Sequence, residues 1–290
     1  MEIITTLING LSIGGIYAMI ALGYTMVYGI AKMLNFAHGD IIMVGGYTIY
    51  VTMLLIGHPL LAVLVAAVLC MLLGIAIEKV AYKPLRGASP LAVLITAIGV
   101  SYLLQSVAQI VFGSAPKMVN IVDWGTLNWG GLKIQVYTLV TLVCTIVVMI
   151  ALSLFVKFTK MGRAMIATSE DKSATELMGI NVNAVITVTF AIGSALAALA
   201  GFFSLLKSPS LSNTFGSMPG IKAFTAAVIG GIGSIPGAMV GGILLGVVEC
   251  FSYNIPVIAP YTDAIEFLIL IVILLVKPTG ILGKVRKEKV

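Results

Sequence analysis

The chain has 290 residues, of which 60% are hydrophobic and 10% charged, with a mean hydropathy of +1.13. Soluble domains carry about 25% charged residues, so this composition excludes a large soluble domain and sets the excess apolar surface against lipid. The net charge of +6 comes without a basic patch interleaved with aromatic residues, which excludes a nucleic-acid surface and leaves the charge to report membrane orientation.

A bilayer core about 30 Å thick needs about 20 apolar residues per helix. The first such stretch, 5–30, follows an opening "MEIITTLING" that has an acidic residue and no positive n-region. It is longer than a signal h-region and is expected to be a spanning helix rather than a cleaved leader. Further spans are expected near 39–56, 60–80, 90–112, 136–157, 184–206 and 264–277. The apolar region 222–252 is too long for one helix and is interrupted by "GGIGSIPGAMVGG". It reads as a re-entrant or broken helix pair, with the break at Gly233–Gly237, that returns to the side it came from. The expected fold is an all-α polytopic membrane protein, one transmembrane domain over 1–290, with about 7–8 spanning helices.

The long loops are 113–135 and 158–183. The first carries Trp124 and Trp129, which favour the membrane–water interface. Lys79, Lys83 and Arg86, then Lys157, Lys160, Arg163 and Lys172, then the tail with Lys277, Lys284, Arg286, Lys287 and Lys289 supply 12 of the 17 basic residues. If the helices alternate, all of these lie on one face, which the positive-inside rule makes cytoplasmic. The N-terminus is then expected outside and the tail 277–290 inside.

Cys70, Cys144 and Cys250 are scattered within apolar stretches, and His38 and His58 stand far apart, so no metal site is expected. No paired acid and base or nucleophile–base set suggests an enzyme. "GDIIMVGGYTIYV" and "PGAMVGGILLGVV" share Met-Val-Gly-Gly at 43–46 and 239–242. This echo fits either an internal transporter repeat or the recurrence of small residues wherever membrane helices pack closely.

The segment Lys157–Val185 holds four Lys/Arg and three Asp/Glu, a charged island in an apolar chain. Ser169 can cap a helix with Glu170 and Asp171 in its first turn, Ser173 and Glu176 form a second possible capping box, and Gly179 can close it. One short helix over roughly 170–178 is expected. Ala174, Leu177 and Met178 form an apolar stripe on it, which can dock into a groove on a soluble partner or lie on the lipid headgroups.

"GRAMIATSEDKSATELMGINV" resembles the cytoplasmic coupling segment of LivH-type permeases, the membrane subunits of branched-chain amino acid ABC importers. "NGLSIGGIYAMIALGYTMVYGI" with "LNFAHGDIIMVGGY" is similar to the N-terminal signature of that family, and "AAVIGGIGSIPGAMVGGILLGVVE" to its C-terminal Gly-rich one. Gly179 matches the glycine of an EAA-type coupling motif, while Glu-Ala-Ala itself is replaced. The resemblance implies coupling to ATPases through Gly162, Arg163, Glu170, Ala174, Leu177, Met178 and Gly179. It further implies two ATPase subunits that hold ATP and Mg, since no GxxxxGK[ST] is present here. A second homologous permease subunit or a second copy, and a periplasmic amino-acid-binding protein, complete the implied partners in a bacterial inner membrane.

The alternative is a stand-alone secondary transporter or facilitative channel for a small solute. Coupled carriers place ionisable groups within their spans, whereas Asp40 is expected near a cytoplasmic helix end, and Glu249 and Glu266 near other helix ends. A substrate path is expected where broken helices expose their termini, at Asn35, His38, Gly45 and Gly46 and at Gly230, Gly231 and Gly233. Thr96, Ser101 and Gln105 on one span are a further option, against a role in holding helices together.

Overall fold

A computed structural model describes residues 2–122, 124–129 and 132–283. Among these, eight helices are long and apolar enough to cross a membrane. The chain is a multi-pass membrane protein.

The bundle is built around α1 (Glu2–Ala31), most of whose length is buried. Its closest partner is α10 (Ile235–Tyr253), which runs antiparallel to it. Glycines make that approach possible: a Cβ on Gly14 would lie 2.7 Å from the Ile243 Cα, and Gly242 and Gly246 in turn leave no room for one against Ala18 and Gly14. The four-residue spacings Gly10–Gly14 and Gly242–Gly246 are the small-residue pattern that lets membrane helices meet backbone to backbone.

Two faces of the bundle are distinguishable. At one, here the basic face, α1 ends, and α3 (Pro59–Ile77) runs on through a π-helical turn, Glu78–Tyr82. There Arg86 pairs with the buried Glu78 and donates to Asn183, while Thr187 Oγ1 donates to the same carboxylate at 2.8 Å, which pins α3 to the start of α8 (Val182–Lys207). The charged helices α6 (Lys160–Glu170) and α7 (Lys172–Leu177) lie on this face after α5 (Val136–Phe158). At the opposite face, strands β2 (Thr126–Trp129) and β3 (Leu132–Gln135) form an antiparallel hairpin that follows α4 (Pro90–Phe112). The two-residue strands β1 (Lys117–Met118) and β4 (Ser210–Leu211) pair ahead of and beyond it in sequence.

Two helices do not start at a face. The segment 32–37 turns back into the bundle from the end of α1, so α2 (His38–Ile56) begins with His38 against Gly23 of α1 and Gly193 near the middle of α8. Beyond β4 the chain dips inward, and α9 (Ser217–Gly230) begins against that same point. With 14 residues α9 is about 21 Å long, short of the roughly 30 Å core. It ends at the basic face, where Ile281 and Leu282, just past α11 (Thr262–Val276), donate to the carbonyls of Ile229 and Gly230 at 2.8 and 2.9 Å.

The Gly-rich region therefore differs from the re-entrant pair expected over 222–252. The half-length helix starts earlier, at Ser217, and α10 is long enough to span. The interruption falls between Gly230 and Ile235, where Ser234 Oγ caps α10 by accepting from Gly237 N–H at 3.2 Å and Pro236 occupies the first turn. Of the basic tail, residues 284–290 lie outside the described residues.

Candidate functional site

The inward starts of α2 and α9 meet because glycines line their junction. A Cβ on Gly39 would lie 2.7 Å from the Gly216 carbonyl oxygen, and one on Gly220 2.9 Å from the Gly39 Cα. From this junction α2 runs toward the hairpin face and α9 toward the basic face, so the positive ends of two helix dipoles converge at mid-depth. Beside them lies a cavity of about 320 Å3 whose polar lining includes Tyr24, Asp40, Ser101, Gln105 and Ser217. Asp40, in the first turn of α2, is buried, and Gln105 Nε2 on α4 donates to its carboxylate at 2.8 Å. Ile98, Tyr102 and Ile221 form the open apolar side of the cavity and are exposed on the lone chain.

The arrangement offers groups for both charges of a zwitterion. The helix starts favour an anionic group, Asp40 favours a cationic one, and Ile98 and Ile221 suit an apolar side chain.

The residues expected to line a substrate path sit around this cavity rather than in it. Asn35 accepts a hydrogen bond from Tyr82 at 2.8 Å, and its partner's ring rests on Phe190. His38 is buried edge-on to Tyr24, with ring centroids 4.7 Å apart, against Gly23. Gly45 faces Ala198 and Gly46 faces Leu211, so both serve helix packing. Gly230 abuts Gly237, Gly231 abuts Gly283 and Gly233 approaches Gly29, all at the basic end. What lines the cavity is the next turn along, Gly39 and Asp40, together with Ser101 and Gln105 of the further option.

Asp40, Glu249 and Glu266 do lie within about a turn of helix ends, as expected, but Asp40 is not at the cytoplasmic end of a span and all three are buried. Asp40 lies at mid-depth because α2 starts there. Glu249 and Glu266 are buried around Lys222 of α9, each 3.3 Å from its ammonium, with Asp263 at 2.8 Å. Tyr17 of α1 also donates to Glu249, at 2.5 Å. This buried ion cluster ties α1, α9, α10 and α11 together; pairing is what makes such charges tolerable in a bundle.

The charged island also differs in detail. The helix expected over roughly 170–178 is α7, but the unexpected α6 precedes it: Asp171 ends α6 and caps α7, its carboxylate accepting from Ala174 N–H at 3.0 Å. Ser169 is not the cap; its hydroxyl donates to Ile166 O. Thr159 caps α6, accepting from Gly162 N–H at 2.9 Å. Gly162 is itself buried against the backbone of Phe155 and Val156, so it fixes the α5–α6 turn and presents no surface. Arg163, Glu170 and Ala174 are exposed, and Leu177 and Met178 are 89% and 81% exposed. Gly179 has φ +78°, and Ile180 N–H returns to Thr175 O at 3.3 Å, a left-handed helix stop.

Residues 6–274 match the family described as branched-chain amino acid transport system / permease component. The chain belongs to this family. The permease is 43% identical to the high-affinity branched-chain amino acid transport system permease protein BraD of Pseudomonas aeruginosa, over 98% of this chain and 97% of that one. It is 42% identical to the corresponding LivH proteins of Salmonella typhimurium and Escherichia coli K12, over 97% of this chain and 96% of theirs.

Proposed function

We propose that this permease carries branched-chain amino acids through an ATP-driven importer of the bacterial inner membrane, with substrate passing the Asp40 cavity. The observation that carries the reading is near-full-length identity of 43% to a branched-chain amino acid permease protein, joined to a cavity with paired anionic and cationic affinities and apolar walls. Asp40 holds the ammonium, the starts of α2 and α9 face the carboxylate, and Ile98 and Ile221 meet the aliphatic side chain. The open side of the cavity is closed by a second permease subunit, homologous or identical, so the path runs between two chains. Two ATPase subunits bind ATP and Mg and grip the exposed Leu177 and Met178, and a periplasmic binding protein delivers the substrate to the hairpin face. On this reading the basic face is cytoplasmic and the N-terminus lies outside.

The experiment is uptake of labelled leucine into liposomes. The chain with its ATPases, second permease and binding protein transports when ATP is supplied, and the chain alone does not. Saturable uptake by the lone chain, driven by a proton or sodium gradient, would overturn the reading in favour of a stand-alone carrier.

A further inference from the structure

A second cavity, of about 520 Å3, opens on the hairpin side of α1 and plays no part in the path through Asp40. Its apolar wall is Ile13 and Ile16 of α1. Lys133 of β3 and Lys207 at the end of α8 line it, as do Glu249 of α10 and Thr141 of α5. Two observations mark it as built to receive a ligand. Thr141 Oγ1 is buried there with no hydrogen-bond partner, a costly state unless something fills it. Glu249 also keeps one carboxylate oxygen outside any hydrogen bond, in an ion pair alone. Its Oε2 takes Tyr17 at 2.5 Å and Lys222 at 3.3 Å, whereas Oε1 has Lys207 Nζ at 3.6 Å, beyond hydrogen-bond reach.

The position of the cavity bears on what occupies it. It lies between the start of α5 and the end of α10, at the level of the hairpin, where lipid headgroups meet a bundle. Helix α5 is peripheral, with Val143, Ile146 and Val147 exposed on its outer side, so lipid lies next to the cavity mouth.

We propose that this cavity binds the headgroup of a phospholipid that carries a primary ammonium. Lys133 and Lys207 take the phosphate, Glu249 Oε1 and the Thr141 hydroxyl accept from the ammonium, and Ile13 and Ile16 cover the glycerol and first methylenes. A headgroup without a cation leaves the Glu249 charge uncompensated, and a trimethylated ammonium has no N–H to give Glu249 or Thr141. A free amino acid carries the same two charges, so the test must separate it from the lipid.

The full-length chain is placed in nanodiscs of equal phosphatidylethanolamine, phosphatidylcholine and phosphatidylglycerol, released into mild detergent, and weighed by native mass spectrometry. Phosphatidylethanolamine is retained over the other two. Thr141→Val, which removes only the unpartnered hydroxyl, and Lys207→Gln each lower that retention, the latter by about tenfold, the loss of one charge-assisted hydrogen bond. Lys133→Gln, at an exposed position, lowers it without any burden on folding, and Lys79→Gln at the basic face leaves it unchanged. Equal retention of the three lipids, or retention indifferent to Thr141, Lys133 and Lys207, overturns the proposal. Release of the bound lipid by excess leucine overturns it too, and assigns the cavity to the free amino acid.

Discussion

The ammonium of Lys172 donates to the carbonyl oxygen of Ala31 at 2.9 Å, joining α7 to the last residue of α1 across 141 positions of sequence. Seven residues beyond Ala31 the chain is already starting α2 at the mid-depth cavity. The contact places the charged island beside the segment 32–37 that sets where α2 begins, so a shift of α7 is expected to reach the end of α1. Burial lowers the pKa of Lys172, and the nearby Arg86 lowers it further, yet its cation also rests on the carbonyl end of a helix, which favours the charge.

Replacing Lys172 by Met keeps the aliphatic stem and removes the donor to Ala31. Association with the ATPases is expected to remain, since Leu177 and Met178 are untouched, while leucine uptake per ATP hydrolysed falls several-fold. Parallel measurement of co-purification, hydrolysis and uptake checks this. Wild-type stoichiometry in Lys172→Met would mean that the Ala31 contact carries no motion.

Leu177→Asp acts one step earlier. The side chain is 89% exposed in the lone chain, so a carboxylate there leaves folding unaffected. In an apolar ATPase groove it is buried unpaired at a cost of several kcal/mol, and pull-down with the ATPases is expected to fail. Gly179→Val differs, because φ +78° strains a β-branched residue by roughly 1–2 kcal/mol. It should weaken association without abolishing it.

The convergence of α2 and α9 rests on glycine. Gly216→Val drives a branched side chain into the Gly39 carbonyl with nothing flexible to yield. Overpacking of this kind costs about 1–3 kcal/mol, so a lower melting temperature in detergent is expected. Gly99→Val, on the open side of α4 with no atom near its added Cβ, is the control that leaves the melting temperature in place.

The sidedness is checked by cysteine labelling in a background without Cys70, Cys144 and Cys250. An impermeant reagent added from outside should modify a cysteine at Asn128 in the hairpin and at Tyr253 at the end of α10, and spare one at Lys172. Reversed labelling would show that the basic face is the outer one.

The apolar runs and short loops make the spans legible in the sequence, because a bilayer demands about 20 apolar residues at a time. The island was legible because seven charges in so apolar a chain need a solvated face, although Asp171 prefers capping α7 to continuing α6. The mid-depth helix starts were not. Residues 32–37 and 208–216 look like ordinary connecting loops, and only tertiary contacts, Gly39 on Gly216 and Gly23 on His38, reveal that they lead into the bundle. For the same reason nothing in the sequence marks Asp40 as lying at mid-depth. A lysine and two glutamates spread over 222–266 give no local sign that they share one site.

The central claim is that Asp40 receives the substrate ammonium, and binding-protein-dependent leucine uptake by the reconstituted importer carrying Asp40→Asn tests it most directly. Asn keeps the size of the side chain and still accepts from Gln105, so assembly and ATP hydrolysis are expected to persist. Loss of the charge removes a charge-assisted hydrogen bond of about 1.5–3 kcal/mol, so uptake should fall roughly 10- to 100-fold. Uptake at the wild-type rate in Asp40→Asn, with hydrolysis equally intact, would contradict the account and move the path away from the start of α2.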